Sequence, residues 1–221
     1  MTDKHEFAEI ARAQAGTYGF LAMIFNQRPD APLVYNLKAM GVEIFARLRQ
    51  GEGLNPEVQE GLAEISHFID QIKQQPEKDI EQSLQVDWTR LFRGVQRGYG
   101  PQPPYEALYL GEGEAGLGIL ESISRDYIRC GVAPTGGANR PDYIGLECEF
   151  LRYVCEQQTE AWEKGEEEDA QRWQSAENSF LSNHLGRWAA IYCDNAMEHA
   201  RTGFYRGFLH VAKAVIAEMQ S

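Results

Sequence analysis

The sequence has no long apolar run. Nothing in it approaches the roughly 20 consecutive apolar residues that a membrane-spanning helix needs. The N-terminus, Met1-Thr2-Asp3-Lys4-His5-Glu6, lacks the basic stretch and apolar core of a secretory signal. These absences lead to the expectation of a cytoplasmic protein with no stable membrane insertion. Cysteine is scarce as well: Cys130, Cys148, Cys155 and Cys193 are the four, and none forms a C-x-x-C pair. Three of them lie within apolar helical patterns, so reduced, buried thiols are expected rather than a disulfide framework. Positive charge is outnumbered, 21 Lys and Arg against 33 Asp and Glu, for a net charge of -12. That balance excludes nucleic acid and anionic membrane as natural partners and favours a basic one. No segment alternates with a period of two, and no repeat of fixed period appears.

The common catalytic signatures are missing too. There is no P-loop and no G-x-S-x-G. Gly111-Glu112-Gly113-Glu114-Ala115-Gly116 matches G-x-G-x-x-G literally, but no strand precedes it and its glutamates would repel a pyrophosphate. It reads as a plain loop. Glu64-Ile65-Ser66-His67 is one E-x-x-H unit, whereas a di-metal bundle needs two plus further glutamates. His184 and His199 have no convincing nucleophile near them, and His184 is expected to cap or pack. The expectation is a protein with no cofactor, no metal and no turnover.

What remains is strongly helical. The first helix reads from about His5 to Phe25, with Phe7, Ile10, Ala11, Ala15, Tyr18, Leu21, Ala22 and Phe25 on one face. Pro29 breaks the pattern. A second helix starts at Pro32 and carries Val34, Leu37, Met40, Ile44, Phe45 and Leu48 as far as Gly51-Glu52-Gly53. A third begins at Asn55-Pro56, with Leu62, Ile65, Phe68, Ile69 and Ile72 inward, and a fourth follows Pro76 with Ile80, Leu84, Trp88, Leu91 and Phe92. Another carries Leu117, Leu120, Ile123, Tyr127 and Ile128 and closes at Cys130-Gly131. A long helix is read from Pro141-Asp142 through Trp162, and two or three more follow the acidic run Glu163 to Asp169. That run reads as a solvated turn, or as an attractor of a basic peptide. The fold expected is all-α: one domain over residues 1–221, a single globular bundle of about nine or ten helices with no sheet, and a candidate hinge at 133–140.

The stretch from Asp87 to Glu149 holds most of the interest. Trp88, Leu91 and Phe92 sit at helical spacing and are equally readable as core. Pro101-Gln102-Pro103-Pro104 stiffens an exposed loop. Tyr105 and Tyr109 then lie a helical turn apart beside Glu106, a pocket suited to an apolar side chain and a cation together. Asp142, just after Pro141, reads either as a helix cap or as a carboxylate for a partner's arginine.

These residues carry a resemblance. Trp88-Thr89-Arg90-Leu91-Phe92 followed by Gly94, then Pro101-Gln102-Pro103-Pro104-Tyr105-Glu106-Ala107-Leu108-Tyr109-Leu110, then Pro141-Asp142-Tyr143-Ile144 with Glu147, Glu149, Phe150 and Leu151, resembles the TorD/DmsD family of redox-enzyme maturation chaperones. Its wider clan includes the NarJ-like proteins. A weaker tail match runs through Phe180, His184-Leu185, Trp188 and Thr202-Gly203-Phe204-Tyr205. The family's usual histidine is Tyr143 in this chain, and the acid often found before the proline is Arg140. The resemblance implies a cytoplasmic chaperone, not an enzyme. Its partners would be the twin-arginine signal peptide and the apo-protein of a molybdenum-containing oxidoreductase. It would assist cofactor insertion and delay export until maturation. It also implies a leader-binding set of Trp88, Leu91, Phe92, Pro104, Tyr105, Glu106, Tyr109, Pro141, Asp142, Tyr143 and Glu147. Two alternatives stand beside it: an assembly factor that recognises only the mature enzyme body, and a weak nucleotide-binding or hydrolysing protein. Monomer and helix-swapped dimer are both compatible with the Gly-rich loop.

Overall fold

A computed structural model describes residues 2–51, 53–94, 98–111, 113–133 and 140–220. Eleven α-helices are found among them, and no strand. The all-α expectation therefore holds, with slightly more helices than counted from the sequence. The helices gather into two compact units. The candidate hinge cannot be placed, because residues 134–139 lie outside the described set.

One unit comprises residues 1–26 and 105–188. It holds α1 (Thr2–Asn26), α6 (Glu106–Leu110), α7 (Glu114–Arg129), α8 (Ile144–Lys164), α9 (Glu167–Asn183) and the first turn of α10 (Leu185–His199). Its main contacts are α1 on α8, α8 on α9 and α6 on α7. The inward face of α1 is Ala8, Ala11, Ala15, Tyr18, Leu21, Ala22 and Phe25. Phe7 and Ile10, expected on that face, are largely exposed instead. The small residues explain the change, since they let α1 lie close to α8. A Cβ added at Gly19 would stand 3.0 Å from the Arg152 side chain. A bulky face would hold the helices apart. Similarly, α7 turns Ile123 and Tyr127 inward and leaves Leu117 and Ile128 outside. Gly131 (φ 73°) and Gly165 (φ 78°) take the left-handed conformation that ends α7 and α8. The acidic run, expected as a turn, is mostly helical: Gly165 and Glu166 alone separate α8 from α9, Glu163 at the end of α8 pairs with Arg12, and Glu167 at the start of α9 pairs with Lys4.

The other unit comprises residues 27–104 and 189–219. It holds α2 (Ala31–Ala39), α3 (Gly41–Arg49), α4 (Pro56–Ile72), α5 (Glu77–Phe92), the remainder of α10, and α11 (Gly203–Glu218). Three of these helices start where the sequence carries a polar cap. The Asp30 carboxylate accepts from Leu33 N at 3.0 Å, Asn55 from Glu57 N at 2.8 Å, and Thr202 from Tyr205 N at 3.4 Å. The helix expected from Pro32 to Leu48 is two helices broken at Met40. Val34 and Leu37 are buried, but Met40, Ile44 and Leu48 face out. The break coincides with Gly41, where a Cβ would lie 2.9 Å from Ile69 of α4. The closest approach is between α4 and α11, backbone to backbone. A Cβ at Gly61 would come 2.5 Å from Gly207 O, and one at Gly207 would come 2.4 Å from Gly61 O. Only glycine fits at that crossing.

Cys148, Cys155 and Cys193 are buried and Cys130 is half-buried; all four are free thiols. Burial holds the thiols of Cys155 and Cys193 far above their usual range, so they act as small apolar side chains. Among the described residues no helix is long and apolar enough to cross a membrane.

Candidate functional site

The proline-rich segment ends in Tyr105, whose extended backbone precedes α6. Tyr143, also extended, precedes α8. The two form a single antiparallel bridge, in which Glu106 N donates to Asp142 O at 2.9 Å. Their rings pack at 5.5 Å. Sequence reasoning placed Asp142 at the start of the long helix. That helix begins at Ile144, and the Asp142 carboxylate serves a different one: Oδ2 accepts from Ala107 N at 3.1 Å in the first turn of α6. A local cap has become a tie between segments 35 residues apart.

Asp142 is fully buried and holds a second partner. Arg140 grips it with both arms of its guanidinium, Nε to Oδ1 at 2.9 Å and Nη2 to Oδ2 at 2.5 Å. The same guanidinium lies 4.9 Å from the centre of the Tyr105 ring. A bidentate carboxylate beneath an aromatic face is a strong arginine-recognition geometry. Pro141 carries this arrangement in the turn closed by Tyr143 N and Arg140 O, and Tyr127 Oη donates to Pro141 O at 3.0 Å. Tyr143 is fully buried, its hydroxyl donating to Phe25 O at 2.6 Å.

Three more buried carboxylates belong to this unit, Glu106, Glu147 and Glu177, and the first two stand among the site candidates. Glu106 accepts at Oε2 from His184 Nδ1, 2.9 Å away, while Asp126 Oδ2 lies 3.3 Å from the other imidazole nitrogen. Glu147 accepts at Oε2 from Trp188 Nε1 at 3.2 Å. Tyr109 stacks on the Trp188 ring at 5.5 Å. One oxygen each of Glu106 and Glu147, Oε1, is buried without a partner. Burial above all, and then the negative charge of Glu106, holds the Glu147 carboxyl well above its ordinary 4.5. His184 does pack, as expected, on Phe180 at 4.8 Å. Its bond to Glu106 and the Trp188 bond to Glu147 were not anticipated. Sequence periodicity marks both as core positions and gives no hint of a polar partner.

The raised Glu147 value has a measurable consequence. Below 4.5 the acid is protonated folded or unfolded, and its contribution to stability is fully present. As pH rises towards the elevated folded value, the unfolded chain loses that proton first, and stability drains away. Glutamine mimics the protonated acid and titrates nowhere. The melting temperature of Glu147→Gln should therefore gain on the parent as pH is raised above about 5. A difference that stays flat across thermal melts in that range would show an ionised Glu147.

The remaining site candidates lie in the other unit. Trp88 (5% exposed), Leu91 and Phe92 (both 0%) are core residues there, and Pro104 is buried too. Phe92 meets Trp88 edge-on at 6.2 Å and Tyr205 at 5.4 Å, and Arg93 covers the Trp88 ring at 4.5 Å. So the candidates divide. Tyr105, Glu106, Asp142 and Tyr143 come together directly. Tyr109 and Glu147 join through Trp188, and Pro141 through its turn. Of these, Tyr105, Tyr109 and Pro141 are half-buried and the rest are buried. Glu64 of the E-x-x-H unit lies 4.0 Å from Arg206, and His67 bonds Gln71 at 2.9 Å. Among the described residues, no group of three or more His, Cys, Asp or Glu is placed to hold a metal ion.

Residues 52–194 match the family described as nitrate reductase delta subunit. The match spans more than half of the chain and covers every candidate residue from Trp88 to Glu147. No curated protein matches the chain. The clan to which the motifs pointed is therefore the right one, reached through its NarJ-like branch. The family consists of assembly factors, not catalysts, and the ties from the proline-rich segment to the start of α8 lie within the matched region. The chain belongs to the nitrate reductase delta subunit family of redox-enzyme maturation chaperones, which assist the assembly of molybdenum oxidoreductases.

Proposed function

We infer that this chaperone recognises an arginine-bearing leader, the twin-arginine signal peptide of an apo-molybdoenzyme, and delays export until the cofactor is in place. The observation that carries the reading is Arg140. Its guanidinium lies in a cage made by the Asp142 carboxylate and the Tyr105 ring, so the cage is built to hold arginine. Arg140 belongs to the chain, and its side chain is 46% exposed. A client arginine can exchange with it at the surface. Glu106 keeps one acceptor oxygen in reserve, and half-exposed Tyr105 and Tyr109 with exposed Leu108 offer apolar contact for a leader's h-region. Pro141 and Tyr143 would act in the same task as supports for these groups. The net charge of -12 steers a basic segment towards the protein. A cytoplasmic site of action follows from such a client.

The test is a titration of the full chain with a molybdoenzyme leader and with its Lys-Lys variant. The Arg-Arg leader should bind at least about tenfold tighter, because lysine cannot make the bidentate contact. Equal affinities would sink the arginine reading. If the apo-enzyme body binds just as well after its leader is deleted, the mature body is the target instead.

A further inference from the structure

The unit that holds α5 has a cavity of its own. It encloses ≈ 390 Å³ and is lined by Asp79, Gln82, Ser83, Val86, Asp87, Arg90 and Arg201. Arg90 is the unusual wall. Its side chain is only 3% exposed. One nitrogen, Nη1, reaches Asp87 Oδ1 at 3.3 Å and His199 O at 3.4 Å. The other two, Nε and Nη2, are buried with no partner. Asp87 has nothing left to offer them. It already accepts from Arg201 N, from Thr202 N at 2.8 Å and from Thr202 Oγ1 at 2.8 Å. A buried guanidinium with two unserved donors is costly, and charged groups seldom stay that way unless something completes them.

We propose that this cavity is a carboxylate-binding site, in which the Nε–Nη2 edge of Arg90 and the Arg201 side chain receive an acidic group of a polypeptide partner. The free edge of Arg90 is the planar fork that matches a carboxylate bidentately. Tyr99 lies beside both guanidiniums, 5.7 Å from Arg90 and 6.0 Å from Arg201, and so carries the two cations together. Gln82 and Ser83 add neutral donors. Val86, half-exposed, offers an apolar wall for a short alkyl stem. Asp79 and Asp87 offset the charge of the two arginines, which disfavours a phosphate dianion more than a singly charged carboxylate. The occupant is thus a Glu or Asp side chain or a C-terminal carboxylate. A polypeptide is the source because the family's clients are enzyme subunits. The proposal does not depend on the leader reading, since it uses none of the Tyr105–Asp142 residues.

The experiment follows the Arg90 Nε–H resonance in the full-length protein labelled with ¹⁵N-arginine, assigned with Arg90→Lys. The probes are N-acetylglutamate N-methylamide for a side-chain carboxylate, N-acetylglycylalanine for a chain terminus, N-acetylglutamine N-methylamide as the neutral control, and inorganic phosphate. A saturable shift with either carboxylate supports the site, and the tighter of the two identifies the source. Arg201→Gln changes an exposed side chain and spares the fold. It should weaken that binding by about tenfold, the usual effect of losing one charge-assisted bond. The proposal is overturned by no saturable shift up to roughly 50 mM, a concentration beyond any specific contact of this kind. It is equally overturned by an equal response to the neutral amide, by binding of phosphate without carboxylate, or by indifference to Arg201→Gln. Asp142→Asn should leave these shifts unchanged while altering leader binding, so the two readings fail separately.

Discussion

Asp87→Asn should destabilise the unit that holds α5 by about 3–5 kcal/mol, the cost of breaking a buried ion pair from one side. Asp87 is 1% exposed, and its two oxygens gather every donor within reach. Arg201 N and Thr202 N, backbone amides between α10 and α11, both donate to it, and Thr202 Oγ1 is itself the cap of α11. Asn supplies one acceptor oxygen in place of two, and its amide group would point hydrogens at donors. The change also strips Arg90 of its counter-charge while leaving it buried. Urea unfolding followed by tryptophan fluorescence would show a lower midpoint with an unchanged slope. Asp70→Asn is the matching control. Asp70 pairs with Lys73 at 2.8 Å on the open surface, where ion pairs contribute little, and its midpoint should stay in place. If Asp87→Asn behaves like that control, the carboxylate is not the joint that binds α5 to the α10–α11 turn.

Much of the fold was legible because its signals are local. Asp30, Asn55 and Thr202 cap their own helices, Gly131 and Gly165 end theirs, and Pro29 and Pro76 interrupt the periodicity. What escaped was set at long range. The break at Met40 has only Gly41 as a local marker, and Ile44 and Leu48 keep the apolar period yet face out. The helix α6, five residues long, is too short to show a period. Phe7 and Ile10 look like core until the small face of α1 is seen against α8. The site divides the same way. Aromatics and prolines announced the segment, and Glu106 and Glu147 entered the leader-binding set, but their full burial was not legible, because glutamate is seldom fully buried without a partner. Their partners, His184 and Trp188, stand 78 and 41 residues along the chain. Arg140 is the instructive case. It stood out as a departure from the family pattern, with its partner only two residues away. The Arg-Pro-Asp-Tyr turn, with proline in the position it favours, was a local sign that the two side chains could meet.

That turn yields the second large effect, in leader binding. If Arg140 occupies the place of a client arginine, every leader must displace it, and the bond it breaks offsets part of the bond it makes. Arg140→Ala removes the competitor and leaves Asp142 and Tyr105 intact. The bidentate pair is half-exposed on the arginine side and stacked on one ring, so its loss should tighten Arg-Arg leader binding by about five- to thirtyfold. The Lys-Lys leader should gain less, because it cannot fill the vacated fork. Asp142→Asn should act in the opposite direction and more strongly. Removing one charge of a desolvated pair costs about 2–5 kcal/mol, or roughly thirtyfold or more in affinity. Asn retains an acceptor oxygen for Ala107 N, so α6 should keep its tie to the Asp142 segment, which helical circular dichroism and thermal melts can verify. Opposite signs from two residues that bond each other separate a ligand cage from a structural salt bridge. A structural bridge would weaken with either change and would leave leader affinity alone. A client arginine competing for the cage requires that Arg140→Ala bind more tightly than the parent, and isothermal titration with the same leader decides it.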